Sequence, residues 1–201
     1  MADATYHFQP ASGGNIPAGA QPNGNEADPT EPLWVARTVG ATPGLAIVQL
    51  GKVRPGLGEA LFPFGGKEVG ASEYEVLMEA GIWIDSDPSG EIPIGAVVCG
   101  EDADGAPLFV ARATFNGGVH PGKVRFGFNG ASIGVGGVEQ FVTPYQILVT
   151  ALPDTDPCKG IRAQLDALSP GDFIHPGQFE KAQRELARRL EECEKQHGEP
   201  T

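Results

Sequence analysis

Basic residues are scarce in this 201-residue chain: 14 Lys and Arg stand against 26 Asp and Glu, a net charge of −12. That balance excludes the basic footprint that nucleic acids and anionic membrane surfaces require. Cysteine is scarcer still. Cys99, Cys158 and Cys193 are an odd, widely scattered set that gives neither a disulfide framework nor a zinc spacing, and they fit a reducing compartment. No apolar run approaches the ~18 residues of a membrane span. The opening MADATYHFQPASGG lacks a basic segment and an apolar core, so it does not read as a secretory signal. The expectation is a cytoplasmic protein, with an unconventional export route left open. Over most of the chain long helical patterns are also missing, and the 29 Gly and 18 Pro speak for turns and short strands. A hydrophobic content of 40% still suffices for a core, in one domain with an appendage or in two small domains.

What the chain does contain is itself, twice. Gly14, Ile16, Pro17, Gly19, Ala20, Gly24, Ala27 and Asp28 return 76 residues later as Gly90, Ile92, Pro93, Gly95, Ala96, Gly100, Ala103 and Asp104. After one extra residue in the first copy, PLWVAR (32–37) lies on PLFVAR (107–112). Four more extra residues then set the offset to 71, and GKVR (51–54) falls on GKVR (122–125). From there the alignment runs without a gap through Tyr74 on Tyr145 and Leu77 on Leu148. The first copy spans residues 6–78 and the second 82–149.

Each copy reads as short strands between turns. AVVCG, APLFVARATF, KVRFGF and QFVTPYQILVT are rich in β-branched and aromatic residues, and DADG (102–105) has hairpin-turn chemistry. Copies of this size are marginal alone, so the two are expected to share a core with pseudo-twofold symmetry, forming a β domain over residues 1–152. Residues 153–172 read as a linker holding a short helix, which starts at Asp156-Pro157 and carries Ile161, Leu165 and Leu168 on one face. Residues 173–201 read as an amphipathic helix with Phe179, Ala182, Leu186, Leu190 and Cys193 on one stripe. Glu180/Arg184, Glu185/Arg189 and Glu191/Lys195 support its exposed face.

Residues 1–152 hold seven cations, and six occupy matched positions: Arg37 and Arg112, Lys52 and Lys123, Arg54 and Arg125. Solvating charge needs no such placement, so each is expected to have a specific partner. Arg37 and Arg112 interrupt apolar strands and read as inward-leaning groups paired with a carboxylate. Lys52 and Lys123 read as loop residues with either that structural role or a ligand contact. Carboxylates accompany them, with Glu101, Asp102 and Asp104 in one turn and Glu26 and Asp28 beside Asn25 in the matching one. A carboxylate beside an ammonium suits a sugar: the first accepts from vicinal hydroxyls, and the second donates to a hydroxyl oxygen.

Other motifs are incomplete. GGVHPGKV (117–124) imitates a phosphate loop, but Val124 replaces the magnesium-binding hydroxyl and Ala46 begins the matching stretch. DSDPSG (85–90) opens like a calcium loop, but Ala96 stands at its twelfth position. The four histidines show no metal spacing, and no nucleophile–histidine–acid set stands out. Trp34 aligns with Phe109 and Trp83 with His7, and both tryptophans read as core or rim. No catalytic residue, metal site or cofactor is expected.

The ordered set IPIGA, G-E-D, PLFVAR, PGK, a GG-containing run and YQIL resembles the DM-nine repeat family over residues 6–150. The resemblance implies an all-β fold, an antiparallel β-sandwich of two intercalated repeats about a pseudo-twofold axis, here followed by C-terminal α-helices and often assembled as a homodimer. It implies a non-enzymatic, cytosolic mannose-binding lectin acting in glycan or pathogen recognition. The module also occurs in natterin-like proteins beside a pore-forming part, for which the roughly 50 residues after the repeats are too few. By resemblance the sugar is held by Asp102 and Lys123 in the second copy. In the first copy the equivalents are Glu26 and Lys52, in LGK without the proline and with five more residues between them, which ranks that site as the weaker. The alternative is a structural or interaction protein that uses the sandwich as a scaffold and the C-terminal helix to bind a partner or to oligomerise.

Overall fold

The computed structural model describes residues 6–40, 45, 48–86, 90–150, 158–168 and 176–197. Residues 87–89 of DSDPSG and the PDTDP linker with the expected Asp156-Pro157 helix start lie outside them. The fold is an all-β sandwich followed by two helices. The first copy contributes β1 (Phe8–Ser12), β2 (Gly24–Asn25), β3 (Pro32–Thr38), β4 (Leu50–Val53), β5 (Ala60–Phe64), β6 (Lys67–Ala71) and β7 (Glu73–Leu77). The second contributes β8 (Ile82–Asp85), β9 (Val98–Glu101), β10 (Pro107–Phe115), β11 (Gly118–Val124), β12 (Ala131–Val135), β13 (Val138–Val142) and β14 (Tyr145–Val149).

Pairing is antiparallel and repeats from copy to copy. The order β1-β7-β3-β4-β5-β6 in one sheet is matched by β8-β14-β10-β11-β12-β13 in the other. Double-glycine turns close the equivalent β5–β6 and β12–β13 hairpins. Gly65 and Gly66 sit at φ 61° and 83° and Gly136 and Gly137 at 64° and 85°, the left-handed pair that a two-residue hairpin needs. The seventh strands join the copies: β2 pairs with β11 through Asn25 and Val119, and Glu101 at the end of β9 bridges Val48. The repeats are therefore intercalated.

Strand alternation divides the apolar residues among three cores. Ala36, Val53, Phe62 and Val76 fill the first copy, and Ala111, Val124, Ile133 and Ile147 the second. Val35, Leu50, Leu77, Val110 and Leu148 form a third core between the sheets. Burying this shared face is what two marginal repeats gain by combining. The register also corrects one alignment. Phe8 faces Leu77 where Trp83 faces Leu148, so the counterpart of Trp83 is Phe8, not His7.

Helix α1 (Lys159–Ala167) buries Ile161 and packs Gly160 against Ile94. Helix α2 (Pro176–His197) forms the Glu180–Arg184 pair at 3.7 Å. Arg188 takes Glu185 and Glu192, both at 2.6 Å. Arg189 instead turns to the β domain, donating to the Ile92 carbonyl at 3.3 Å over the Phe126 ring. The two helices are joined by a Cys158–Cys193 disulfide. This overturns the reading of three unpaired cysteines and removes the argument for a reducing compartment that rested on it. The 35-residue separation carried no signal because only the packing of α1 on α2 brings the two sulfurs together.

Candidate functional site

The lysines of the two GKVR segments stand on strands, not in loops as their glycine-rich surroundings suggested. Val35 faces Lys52 across β3–β4, and Val110 faces Lys123 across β10–β11, at the same register in both hairpins. Four of the five extra residues of the first copy are absorbed between Thr38 and Leu50, beyond the paired region. They leave the lysine's position on its strand unchanged. The preceding glycine is required by close strand approach. A Cβ on Gly51 would lie 2.1 Å from the Leu61 carbonyl oxygen, and one on Gly122 would lie 2.1 Å from that of Ser132. Both lysines point toward the other repeat and are nearly inaccessible, at 3% and 2% exposure. A buried ammonium needs compensating charge and acceptors.

Around Lys52 that compensation is ionic. Its Nζ lies 3.7 Å from Glu26 and 3.6 Å from Glu68. His120, from the second copy, approaches at 3.4 Å through Nδ1. Since Nε2 of His120 lies 3.2 Å from the Phe115 carbonyl, it donates there and leaves Nδ1 to accept from Lys52. Burial, and then Lys52 itself, hold the imidazole pKa below its ordinary value, consistent with this neutral tautomer. Arg54 lies 3.8 Å from Glu26 and 3.5 Å from Glu31.

Around Lys123 the contacts are mostly neutral. Its Nζ donates to Gln49 Oε1 and, at 2.5 Å, to the Pro63 carbonyl, both from the first copy. Burial pushes its pKa down to about 8, opposed by the nearby charges of Glu139 and Asp102. Asp102 itself lies 3.3 Å from Arg125 Nε, and Asp104 takes the same guanidinium at 2.6 Å. The structure thus brings Glu26 and Lys52 into ion-pair distance. It sets Asp102 against Arg125, with Lys123 within electrostatic reach.

Two pairs of residues in these clusters escaped the sequence reading. Glu68 and Glu139 are matched at the 71-residue offset, an identity to which no chemistry was attached. They latch the copies reciprocally: Glu68 accepts from the Gly137 amide at 2.6 Å and Glu139 from the Gly66 amide at 2.8 Å. Glu139 also accepts from Ser132 at 2.6 Å. Gln49 and His120 share the same offset and exchange places, each serving the other copy's lysine. At each cluster an arginine Nε, of Arg54 and of Arg125, is buried without a hydrogen-bond partner, as is Glu68 Oε1.

The remaining matched cations diverge. Arg37 stacks on Phe8 at 4.2 Å and pairs with Glu75 at 2.6 Å, as expected of a strand arginine with a carboxylate. Arg112 stacks on Trp83 at 4.3 Å, but its partners are the Gln146 amide and the Asn23 carbonyl, both at 2.8 Å. The expected carboxylate is absent there because glutamine stands where the first copy has Glu75. Cys99 is a partly buried thiol, and desolvation pushes its pKa up to about 12. Among the described residues no group of three or more His, Cys, Asp or Glu side chains could hold a metal ion. Among the described residues no helix is long and apolar enough to cross a membrane.

Residues 45–142 match the family described as DM9 repeat, a stretch covering the second half of the first copy and most of the second. No curated protein matches the sequence. Among solved structures, the nematode sperm cell motility protein MFP2B is similar, with a TM-score of 0.50 and 15% sequence identity. The alignment covers 77% of this chain and 49% of that one, so the chain spans about half the length of its structural neighbour. At this identity the likeness is one of fold.

Proposed function

We propose, from the premise that residues 45–142 belong to the DM9 repeat family, that the chain is a non-enzymatic carbohydrate-binding protein of the mannose type. Asp102 with Lys123, and Glu26 with Lys52, are its two clamps. The observation that supports this most is the repetition of one arrangement in both copies. In each, a partly exposed turn carboxylate stands beside an arginine, Glu26 by Arg54 and Asp102 by Arg125, with a buried lysine at 3.7 Å from Glu26 and within electrostatic reach of Asp102. Vicinal sugar hydroxyls donate to the carboxylate, while the neighbouring arginine and the buried lysine hold its charge from beneath. Glu68, at 3.6 Å, holds Lys52 from the other side, and the nearby charge of Glu139 supports Lys123. One such clamp makes few contacts and binds weakly, so two per chain, or four in a homodimer, gain avidity on a mannose-rich surface. A glycan array on the full chain tests the reading. Mannose-terminated glycans are retained, and Asp102→Asn loses most of that signal. A blank array on folded protein contradicts it.

The second reading is an interaction scaffold. It is favoured by Leu186 and Leu190 of α2, which are only half-buried along the stripe that a docked helix would cover. Leu186→Asp/Leu190→Asp abolishing a partner's capture, with the array blank, selects it.

A further inference from the structure

Where the two copies differ most in charge, they differ around the strand arginines. A groove of about 490 Å³ lies beside Arg112, lined by Gln146, Asp85, Thr114 and Asn25. Its pseudo-symmetric counterpart beside Arg37 is lined by Glu75, Val39, Val98 and Cys99. In the first copy Arg37 carries an internal carboxylate, Glu75, at 2.6 Å, and its groove is lined by Val39 and Val98 with a second acid, Glu101. In the second copy glutamine replaces that carboxylate, threonine replaces Val39, and Asn23 replaces Cys99. Arg112 is half-buried, with Nε donating to Gln146 and Nη1 to the Asn23 carbonyl. No carboxylate lies within ion-pair distance of it among the described residues, and burial lowers its pKa with no anion to oppose the shift. A half-buried guanidinium satisfied only by neutral groups retains its full charge and its open Nη2 donors for a ligand.

We propose that this groove binds a hydroxylated monocarboxylate of monosaccharide size, of which a uronic acid is the type, with the carboxylate seated on Arg112. The internal precedent is Glu75, which supplies the same group to Arg37 from within the chain. Asp85 sets the rest of the ligand. It accepts from Gln146 Nε2 at 2.9 Å and stands exposed at the rim of the groove. There it accepts ligand hydroxyls and disfavours a second anionic group, while Thr114, where the Arg37 groove has Val39, and Asn25, where it has Glu101, offer further uncharged polar contacts. Trp83, stacked on Arg112, keeps the guanidinium plane fixed. The groove shares no residue with either lysine cluster, although Asn25 and Val119 in its lining adjoin Glu26 and His120, and its assignment does not rest on the mannose reading.

The test is titration of sodium glucuronate and of glucose into the full chain, followed by ligand-observed NMR and calorimetry. Glucuronate binds with a Kd on the order of 1 mM, the range that one charge-assisted anchor supports. Glucose, the same ring without the carboxylate, binds at least tenfold more weakly, and saturating mannose does not displace glucuronate. Asp85→Asn/Gln146→Glu transplants the first copy's internal carboxylate without crowding it against Asp85, and lowers glucuronate affinity at least tenfold. Should that pair fail to fold, Arg112→Gln gives the same loss. Absence of glucuronate binding to the wild-type chain, equal binding of glucose, or a folded variant that binds within twofold of wild type would each overturn the proposal.

Discussion

The two lysine clusters share one backbone and differ in how their charge is balanced. At Lys52 the chain closes the circuit itself, with Glu26 at 3.7 Å and Glu68 at 3.6 Å. At Lys123 the nearest acceptors are an amide and a carbonyl, and Asp102 is held by Arg125. Glu26, one methylene longer than Asp102, reaches its lysine where Asp102 does not. A duplicated strand and glycine therefore preserve the position of a cation. The substituents around it decide whether that cation is spent inside the fold or left for something else. The same contrast recurs at Arg37 with its glutamate and Arg112 with its glutamine.

Four substitutions or conditions sharpen this comparison. The largest effect belongs to what the copies share. Gly51→Ala and Gly122→Ala each drive a Cβ to 2.1 Å from a neighbouring carbonyl, so each destabilises by on the order of 3 kcal/mol. Urea melts that show one glycine tolerated would break the equivalence of the two hairpins. Next, Glu68→Gln and Glu139→Gln each weaken a charge-assisted latch between the repeats, at a cost of about 2 kcal/mol. Glu68→Gln costs more because it also leaves Lys52 short of one anion.

A pH series separates the clusters further. Folding lowers the Lys123 pKa from 10.5 to about 8, so between those values the unfolded chain holds the extra proton and stability rises with pH. Binding that uses the ammonium runs the other way, and mannose affinity at the second cluster falls about tenfold from pH 7 to pH 9. Affinity that is flat across this range would remove Lys123 from the clamp. The smallest effect on binding comes from the helices. Cys193→Ser loosens α1 from α2 at a cost of about 2–4 kcal/mol to that hairpin, yet changes mannose affinity less than about twofold. A larger change, read by the same titration, would make the helices part of the site.

Much of this architecture was legible in the residues. The duplication, PLWVAR and PLFVAR as paired strands, the DADG turn and the amphipathic C-terminal helix all follow from local pattern, which is short-range physics. The features that were not legible depend on three-dimensional placement. GKVR gives no sign that its lysine is buried, because glycine marks close strand packing here and not a loop. Gln49 and His120 carry no motif, and only the intercalation of the repeats carries each to the other copy's lysine. Cys158 and Cys193 meet only through helix packing. Glu68 and Glu139 were visible as an identity between the copies, and a matched glutamate 16 residues after a matched lysine was the available signal.

The most direct test is titration of free mannose into the wild-type chain, Lys52→Met and Lys123→Met, with circular dichroism to establish folding. Methionine keeps the buried stem and removes only the ammonium. The account predicts that Lys123→Met weakens binding about tenfold, the cost of withdrawing the buried positive charge that faces Asp102 and Glu139. Lys52→Met, which breaks an internally balanced cluster, costs much less. Folded variants that both bind as wild type does, or a larger loss with Lys52→Met than with Lys123→Met, would contradict it.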